Sequence, residues 1–259
     1  MSAITLLTDF GDRDGFVAAM KGVIVALAPD ASIHDAAHGV PPGDVRAAAW
    51  ALSQYWRLWP EGTIHVAVVD PGVGTERAAL LAHADGRLFL APDNGLLALV
   101  AMEADRFEAF ALRPDVRRPG GGSATFHGRD VFAFAAGRLA AGHAPDSLHG
   151  GPAGLADARW AGPVRALDGT LRGEVIHADR FGNAVTNLFP ADLPAGPWRL
   201  DAGRAEFARL DLTYGDVPAG APLAYAGSSG RIEVAVRGGS AENELDLRRG
   251  TPIILRSVL

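Results

Sequence analysis

The sequence predicts an α/β N-terminal domain with a largely parallel sheet, followed by a smaller C-terminal antiparallel, β-barrel-like domain. Strand-like and helix-like segments alternate over the first part of the 259-residue chain. Eight glycines or prolines then fall within the 22 residues from 142 to 163, a composition typical of a domain boundary. Short strand-like segments separated by turns follow. We therefore expect domains at residues 1–158 and 159–259.

The N-terminal elements follow from hydrophobic periodicity. Apolar residues at helical spacing run from Phe16 until Pro29 stops them, and Asp44 is a suitable N-cap for a later helix. In chain order we expect a strand at 4–10, a helix at 16–28, an extended segment at 32–38, a helix at 44–56, a strand at 63–70 and a strand, turn and helix within 87–103. Because such sheets bind ligands at the carboxyl ends of their strands, Asp9 and Asp70 are expected on the ligand side.

The C-terminal half shows strand patterns at 173–179, 231–237 and 252–258, separated by turn sequences such as FGN, YGD and GSSG. Short alternating strands of this kind favour an antiparallel β domain.

Composition narrows the class of function. The chain carries 24 Lys and Arg against 30 Asp and Glu, a net charge of −6, and no long basic run, so it lacks the footprint of a nucleic-acid-binding protein. Cysteine is absent, which excludes disulfides and thiolate metal sites. No apolar stretch approaches the roughly 18 residues of a membrane span, and the N-terminus does not resemble a signal peptide. We expect a cytoplasmic protein without membrane contact.

The stretch VAVVDPGVGTER, residues 66–77, resembles a ligand-binding loop. A phosphate-binding loop would need four residues between its glycines and then Lys with Ser or Thr, and a dinucleotide loop would need a third glycine where Arg77 stands. Neither pattern is met. Taken alone, the stretch is equally typical of a strand-to-helix turn with a solvated Asp and Arg.

Two segments invite a metal interpretation. TDFGDRDG brings Asp9, Asp12 and Asp14 close together, but the position where a calcium loop needs its glutamate is Lys21. HDAAH, residues 34–38, is followed at once by Gly and Pro, so no long helix can carry it. A loose cation site built from Asp9, Asp70 and His127 stays open as an alternative.

Other motifs also have simple structural interpretations. His127 in TFHGRD could cap a helix, DRFGN at 179–183 reads as a turn, and Glu233 in GSSGRIEVAV reads as a solvent-facing strand residue.

The order of these motifs is more specific than any one of them. TDFG, MKGVI, HGVPPGDV, WPEGT, VVDPGVGTER, APDNGLL, TFHGRD, DRFGN and GSSGxxE follow one another over almost the whole chain. Together they resemble the S-adenosyl-L-methionine (SAM) hydroxide adenosyltransferase family, the adenosine-forming SAM hydrolases that are related to the SAM-dependent fluorinase and chlorinase.

The resemblance implies a homotrimer that binds SAM between the N-terminal domain of one subunit and the C-terminal domain of the next, without metal or cofactor. The family's catalytic residues fall on Asp70, Arg77 and His127, and its ribose-binding aspartate falls on Asp9. The resemblance also implies that further residues contact the methionine part or the adenine: Asp179, Phe181, Asn183, Tyr214, Ser228 (or its neighbour Ser229), Glu233 and Val236.

The implied reaction is an in-line attack of water or hydroxide on ribose C5′ of SAM, releasing adenosine and methionine. The halogenating relatives are implied to lack the Asp70–Arg77 pair, which favours water over halide here. A non-catalytic adenosine- or SAM-binding module and a metal-dependent hydrolase built on Asp9, Asp70 and His127 are the alternatives.

Overall fold

The protein was examined as a computed structural model that describes residues 2–120, 122–156, 160 and 162–258. It divides into two compact units, Met1–Trp160 and Ala161–Leu259. The predicted domain boundary between residues 158 and 159 lies outside the described residues.

Among the described residues, the N-terminal unit holds a seven-stranded sheet and four α-helices. Its strands are β1 (Ala3–Thr8), β2 (Ser32–Ala37), β3 (Ile64–Val68), β4 (Ala79–Ala84), β5 (Arg87–Pro92), β6 (Phe107–Leu112) and β7 (His149–Pro152). Its helices are α1 (Phe16–Leu27), α2 (Val45–Ser53), α3 (Ala98–Glu103) and α4 (Phe134–Ala140), with short 3₁₀ turns at Trp56–Leu58 and Pro145–Ser147 and a π-helical turn at Gly128–Ala133 directly before α4.

The sheet is mixed, with strand order β2-β1-β3-β5-β4-β6-β7. Strands β2, β1, β3 and β5 pair in parallel, whereas β4, β6 and β7 add antiparallel pairs. The prediction of a largely parallel sheet therefore describes only one half of it. The cause is a β4–β5 hairpin, whose two-residue turn Asp85–Gly86 has positive φ at both positions (43° and 77°), as the tightest hairpin turns require.

Helices cover both faces of this sheet. Ile4 and Leu6 of β1 point to the face covered by α1 and α4, whereas Leu7 points to the face covered by α2, because successive strand side chains alternate. Asp44 caps α2 as predicted, its carboxylate accepting the Ala47 N–H at 3.0 Å. Because β1 and β3 are parallel neighbours in this buried sheet, their carboxyl ends lie side by side.

The C-terminal unit holds an antiparallel, barrel-like sheet of eight strands around its own apolar core. Its strands are β8 (Val164–Arg165), β9 (Leu171–Ala178), β10 (Ala184–Thr186), β11 (Trp198–Ala202), β12 (Ala205–Phe207), β13 (Pro222–Ala226), β14 (Ile232–Val236) and β15 (Pro252–Ser257). Short helices lie at α5 (Ala241–Glu244), Pro190–Asp192 and Tyr214–Asp216. This architecture agrees with the predicted antiparallel β-barrel-like domain.

Within the described residues, none of the helices has the length and apolar character needed to cross a membrane.

Candidate active site

A cavity of about 850 Å³ opens in the N-terminal unit where β1 and β3 end. Three residues predicted for the site, Asp9, Asp70 and His127, line it. The other lining residues are Phe10, Asp14, Phe16, Pro42, Gly43, Val68, Pro71, Val73, Ser123, Thr125, Phe126, Gly128 and Arg129. The volume is in the range that small-ligand sites occupy.

The segment from Asp70 to Arg77 is a compact turn that reverses the chain after β3. The Val73 N–H donates to the Asp70 carbonyl at 3.2 Å and the Thr75 N–H to the Gly72 carbonyl at 3.1 Å. Gly74 adopts φ +83°, and a Cβ there would lie 3.3 Å from a backbone carbonyl, so this position requires glycine. The turn returns Arg77 to Asp70.

Asp70 and Arg77 form a paired fork. Arg77 Nε donates to Asp70 Oδ1 at 2.7 Å and Nη2 donates to Oδ2. Only 6% of the Asp70 side chain and 9% of the Arg77 side chain are exposed. Arg77 also donates from Nη1 to the Ala78 carbonyl at 3.1 Å, so the guanidinium is fixed in its plane. Bidentate pairs of this kind hold a carboxylate ionised and precisely oriented.

His127 lies between two guanidinium groups. Arg77 Nη2 is 3.0 Å from Nδ1, and Arg117 Nη2 is 3.3 Å from Nε2. Burial, reinforced by the charges of Arg77 and Arg117, lowers the pKa of His127 below its ordinary value, although Asp70 and Asp130 act in the opposite direction. Arginine can only donate, so protonating the imidazole would set donor against donor at both nitrogens. This arrangement disfavours the protonated ring, and the single lone pair of the neutral ring faces one of the two guanidinium groups.

The π-helical turn that follows His127 is anchored by Asp130, whose side chain is fully buried. Its carboxylate accepts hydrogen bonds from Arg129 at 2.7 and 2.8 Å, from Arg118 at 2.9 Å and from the Ser123 N–H at 2.6 Å. These contacts, led by Arg129, hold the pKa of Asp130 far below its usual range despite burial. Asp130 thereby ties the chain before His127 to the helix after it.

Asp9 and a group of aromatic rings form the other side of the cavity. Asp9 Oδ2 accepts the Gly43 N–H at 2.8 Å. Phe10, Phe16 and Phe126 meet edge to face, with ring centroids 5.3–5.9 Å apart. Their faces and edges offer an apolar surface beside the carboxylate, a combination suited to a nucleoside.

The charges of the Asp70 cluster are largely paired. Arg77 donates to both oxygens of Asp70, and His127 faces two positive groups. Among the residues that the structure describes, no three His, Asp or Glu side chains are grouped closely enough to hold a metal ion.

The C-terminal unit brings most of its predicted site residues into one hydrogen-bonded network. Asp179 accepts the backbone N–H groups of Phe181 and Asn183, both at 2.8 Å, and Asn183 Nδ2 donates to Asp179 at 2.9 Å and to the Tyr214 hydroxyl at 3.1 Å. The DRFGN segment is thus a hairpin turn between β9 and β10, as its sequence indicates. It leaves the Phe181 ring 77% exposed.

The network continues through two tyrosines to Glu233. The hydroxyls of Tyr214 and Tyr225 are 2.8 Å apart, and Tyr225 donates to Glu233 Oε2 at 2.7 Å. Glu233 is only 8% exposed, so the interpretation of a solvent-facing glutamate is wrong. Burial and the neighbouring Tyr214 and Glu233 raise the pKa of Tyr225 well above its usual value, and it stays a donor.

The predicted positions Ser228, Ser229 and Val236 differ in which of their atoms a ligand could contact. Ser229 contacts Glu233 Oε1 at 3.4 Å, whereas Ser228 is an exposed turn residue. The Val236 side chain lies in the core of the unit, and its carbonyl accepts the Gly239 N–H at 3.0 Å. Val236 therefore has only its backbone to offer a ligand.

Sequence reasoning missed several residues of these clusters. Arg117 lies in none of the motifs described above, and Tyr225 lies in a strand whose pairing with β14 places it opposite Glu233. Asn94, which donates from its side chain to the Val69 carbonyl at 2.8 Å, holds the end of β3 in place. No local pattern singles out Arg117 or Tyr225, because their partners are distant in sequence, and APDNGLL contains Asn94 without indicating its contact with Val69.

Comparison with known proteins shows the family of this chain. The family model for the SAM hydroxide adenosyltransferase N-terminal domain matches residues 4–149, and the model for the C-terminal domain of the same family matches residues 173–254. The chain belongs to the SAM hydroxide adenosyltransferase family, as its motifs had indicated.

Individual relatives agree with this membership. The chain is 44% identical to an (R)-S-adenosyl-L-methionine hydrolase of Thermus thermophilus, covering 98% of this chain and 100% of that protein. It is 42% identical to a protein of the same name from Salinispora arenicola, with 95% of each covered. A fluorinase of Nocardia brasiliensis is 27% identical, over 96% of this chain and 95% of that one.

A crystal structure of an uncharacterized conserved protein from Thermotoga maritima has the same fold. It aligns with a TM-score of 0.85 at 33% identity and covers 97% of this chain and 99% of that one.

Proposed function

We propose that this protein hydrolyses SAM to adenosine and L-methionine by in-line attack of water or hydroxide on ribose C5′. The observation that carries the proposal is the Asp70–Arg77–His127 cluster at the wall of a nucleoside-sized cavity. The names of the relatives from Thermus thermophilus and Salinispora arenicola support the same substrate and reaction.

The chemical difficulty lies with the nucleophile. The sulfonium of SAM leaves as neutral methionine, so the leaving group needs no acid. Water must instead be held behind C5′ and lose a proton as the C–O bond forms. Fixing the reactants in line can contribute ~7 to 11 kcal/mol in favourable cases.

Asp70 and His127 are the two groups that can accept the proton of water. Each carboxylate oxygen of Asp70 keeps a lone pair beyond its bond to Arg77. The lowered pKa of His127 favours its neutral form. Arg77 contacts both, so it can stabilise the negative charge of nascent hydroxide while keeping the two acceptors in register.

The same electrostatics favour water over halide. A carboxylate about 4 Å from a halide repels it by roughly 4 kcal/mol at an effective dielectric constant near 20. Arg77 offsets only part of this repulsion, because it is already paired with Asp70. Water can donate to Asp70 and meets no such repulsion, so we assign hydrolysis and not halogenation to this site.

For substrate binding we propose that Asp9 holds the ribose hydroxyls beside the phenylalanine rings of the cavity. In the C-terminal unit, Asp179 would bind the methionine amino group, and Phe181 with Asn183 would contact adenine. We propose further that Tyr214 and the Val236 backbone lie near adenine and that Glu233 and a serine of the 228–229 pair hold the methionine part. Their hydrogen-bonded network supports a shared role for most of these side chains.

We also propose a homotrimer in which the N-terminal unit of one subunit and the C-terminal unit of the next each supply part of a site. The exposed rings of Phe16 and Phe181, both of them assigned to substrate contacts, support an assembly that covers them. No metal or cofactor takes part in the proposed reaction, and the predicted cytoplasmic location stays a prediction that cell fractionation can test.

Product analysis tests the reaction directly. Purified protein is incubated with SAM in ¹⁸O-labelled water, and products are separated by chromatography and weighed by mass spectrometry. We expect equal amounts of methionine and adenosine, with the label at the 5′ oxygen. Adenosine no more abundant than in the enzyme-free control would refute the proposal, and tight adenosine binding without turnover would point to a binding module. Loss of turnover on adding a strong chelator would favour the metal-dependent alternative.

A further inference from the structure

Four polar side chains form a continuous chain from helix α1 to the end of strand β1. Lys21 Nζ donates to Asp35 Oδ2 at 2.6 Å, Asp35 Oδ1 lies 2.9 Å from His38 Nε2, and His38 Nδ1 lies 2.8 Å from Thr8 Oγ1. We call these residues, Thr8, His38, Asp35 and Lys21, the Thr8–Lys21 chain. None of them has a part in the proposed chemistry, although their motifs belong to the family pattern.

A β-bulge places Asp35 and His38 on one side of strand β2. Leu6 of β1 pairs with Asp35 and Leu7 pairs with Ala37, so Ala36 is an extra residue in the ladder. In a regular strand, two side chains three residues apart point to opposite faces. The extra residue changes this alternation, so that Asp35 and His38 point to the same side. The bulge thus makes the contact between Asp35 and His38 geometrically accessible.

In the Thr8–Lys21 chain, each hydrogen-bond donor faces an acceptor when the bonds run from Thr8 through His38 to Asp35. A carboxylate only accepts, so His38 carries its proton on Nε2 and presents the lone pair of Nδ1 to the Thr8 hydroxyl. Thr8 then donates its proton to His38 and keeps an oxygen lone pair for the Phe10 N–H, which lies 3.2 Å away. Thr8 is fully buried, where an unmatched hydroxyl would be costly.

His38 holds both ends of the segment that carries Asp9. Its ring binds Thr8, and its carbonyl accepts the Gly11 N–H at 2.8 Å. Between these two contacts lie Asp9 and Phe10, both of which line the cavity. The position of the Asp9 carboxylate therefore depends on His38 as well as on its own bond to Gly43.

The Lys21–Asp35 ion pair at the outer end of the Thr8–Lys21 chain contributes little to folding stability. The Lys21 and Asp35 side chains are 34% and 47% exposed, and ion pairs at that exposure contribute little to folding. Asp35 is nonetheless held ionised: although burial acts to raise its pKa, hydrogen bonds from Lys21 and His38 outweigh that effect and lower it. An ionised Asp35 fixes the tautomer and orientation of the His38 ring.

We propose that the Thr8–Lys21 chain positions Asp9 for the ribose of the ligand, with His38 and Thr8 as positioning residues. The inference rests on the proposed function, because Asp9 is assigned to the ribose there. Since the ribose contact is made in both the ground state and the transition state, its loss should appear mainly in KM.

The test compares variants in SAM turnover and, by calorimetry, in adenosine affinity. We expect His38→Asn to raise KM for SAM and Kd for adenosine about tenfold, the factor that corresponds to one hydrogen bond, with kcat changed less than about twofold. Thr8→Val, which removes the hydroxyl at equal volume, should do the same, and Thr8→Ser should regain most of the affinity. In an Asp9→Ala background the effect of His38→Asn on Kd should vanish, because both changes then remove one contact.

His34→Asn is the matched control. His34 lies in β2, just before His38 in the chain, and bonds a serine hydroxyl, Ser32, at 2.7 Å, but it has no contact with the Asp9 segment among those described. We expect wild-type KM for this variant.

Three outcomes would overturn the proposal: an equal loss of affinity in His34→Asn, a His38→Asn effect that persists undiminished without the Asp9 carboxylate, or a Thr8→Ser protein as impaired as Thr8→Val. Failure of the proposed function has a separate signature. Wild-type protein that binds adenosine but forms none from SAM would refute hydrolysis. The comparison of His38→Asn in the wild-type and Asp9→Ala backgrounds, measured as Kd for adenosine, would still test the positioning role.

Discussion

At the scale of single residues, Arg77 connects Asp70 and His127, the two groups that we propose to activate water. Its Nε and Nη2 atoms bind the Asp70 carboxylate, and Nη2 also approaches His127 Nδ1 at 3.0 Å. A lysine could supply the charge but not the planar fork that fixes both partners at once. The geometry at this centre thus depends on the shape of the guanidinium as much as on its charge.

We predict that Asp70→Ala and Arg77→Ala each lower kcat for SAM hydrolysis about a hundredfold or more while adenosine binding stays measurable. The reason is that each change removes the oriented acceptor or its support, and general-base contributions are typically about 10² to 10⁴. Initial rates and calorimetry on the same preparations provide the measurement. Glu76→Ala, at an exposed position of the same turn, is the control, and wild-type rates in both Asp70 and Arg77 variants would refute the roles assigned.

A second residue-scale prediction concerns the charge beside His127. Arg117 is one of the causes that lower the pKa of His127, so Arg117→Gln should raise that pKa towards its ordinary value near 6.5. Because a protonated ring cannot accept a proton, kcat/KM should fall as pH drops below the His127 pKa, and the fall should begin at a higher pH in the variant. NMR titration of the imidazole and a pH–rate profile measure the two effects.

Arg113→Gln makes the same change of net charge at a residue paired with Asp115, and serves as the control. An unchanged His127 titration in the Arg117 variant would contradict the electrostatic account. If the NMR titration of His127 shifts in the variant but the acid side of the pH–rate profile does not, Asp70 and not His127 accepts the proton of water.

At the scale of elements, the turns after strands carry the site residues, and their glycines set how closely other groups approach. Gly182 in the turn between β9 and β10 has φ +79°, and a Cβ there would lie 2.1 Å from Ser240 Oγ. The residues on either side, Phe181 and Asn183, are assigned to adenine. The shape of this turn and the proposed binding contacts are therefore coupled.

We predict that Gly182→Ala lowers the free energy of unfolding by more than the ~1 kcal/mol expected for a positive φ alone, and that it also weakens SAM binding. Gly169→Ala is the matched control, since Gly169 has φ +82° in a hairpin turn with no neighbour within 4 Å of its Cβ position. Urea unfolding and KM measurements on both variants make the comparison. Equal destabilisation in the two, with no change in KM, would show that the Ser240 contact relaxes freely.

The hairpin of β4 and β5 shows where element-level prediction failed and why. The alternation of strands and helices up to residue 70 predicts parallel strands correctly, because each helix returns the chain to the same end of the sheet. The ADG sequence at 84–86 is a two-residue turn signal that reverses the chain without a helix. Its antiparallel pairing is what makes the sheet mixed.

At the scale of the whole molecule, buried histidine contributes to the pH dependence of stability. His65 of β3 is fully buried beside Phe89 of the adjacent strand β5, with Nδ1 2.8 Å from Thr5 Oγ1. Burial, with a contribution from the charge of Arg87, lowers its pKa to about 3. Between pH 6.5 and about pH 3, the His65 side chain binds a proton in the unfolded chain but not in the folded protein. The stability that neutral His65 contributes is therefore fully present above pH 6.5 and is lost as the pH falls.

We predict that the free energy of unfolding declines below pH 6.5 by up to ~1.4 kcal/mol per pH unit from this group, and that His65→Gln reduces the slope. Urea unfolding at a series of pH values from 4 to 8 measures it. His34→Gln, a change at an exposed position of β2 in the same sheet, should leave the slope as in the wild type. An unaltered slope in the His65 variant would mean that other groups cause the acid sensitivity.

The proposed trimer leads to a prediction of complementation. Asp70→Ala and Asn183→Ala proteins should each be nearly inactive alone, because each lacks one half of every site. If the halves come from adjacent subunits, refolding the two variants together in equal amounts should restore about a quarter of wild-type activity, since a quarter of the sites would join two intact halves. Mixing without refolding is the control. No recovery after refolding would show that each site is built from a single chain.

The sequence by itself determined the family, the succession of strands and helices in the first seventy residues, the Asp44 cap and the turns that carry Asp9, Asp70 and Asn183. These features depend on periodicity and turn chemistry, which act between residues close along the chain. The tertiary structure alone decided that Arg117 faces His127, that Tyr225 joins Tyr214 to Glu233, and that a bulge in β2 brings Asp35 and His38 to one side. Such contacts join residues far apart in sequence, and only the folded arrangement of strands and loops determines which polar groups meet.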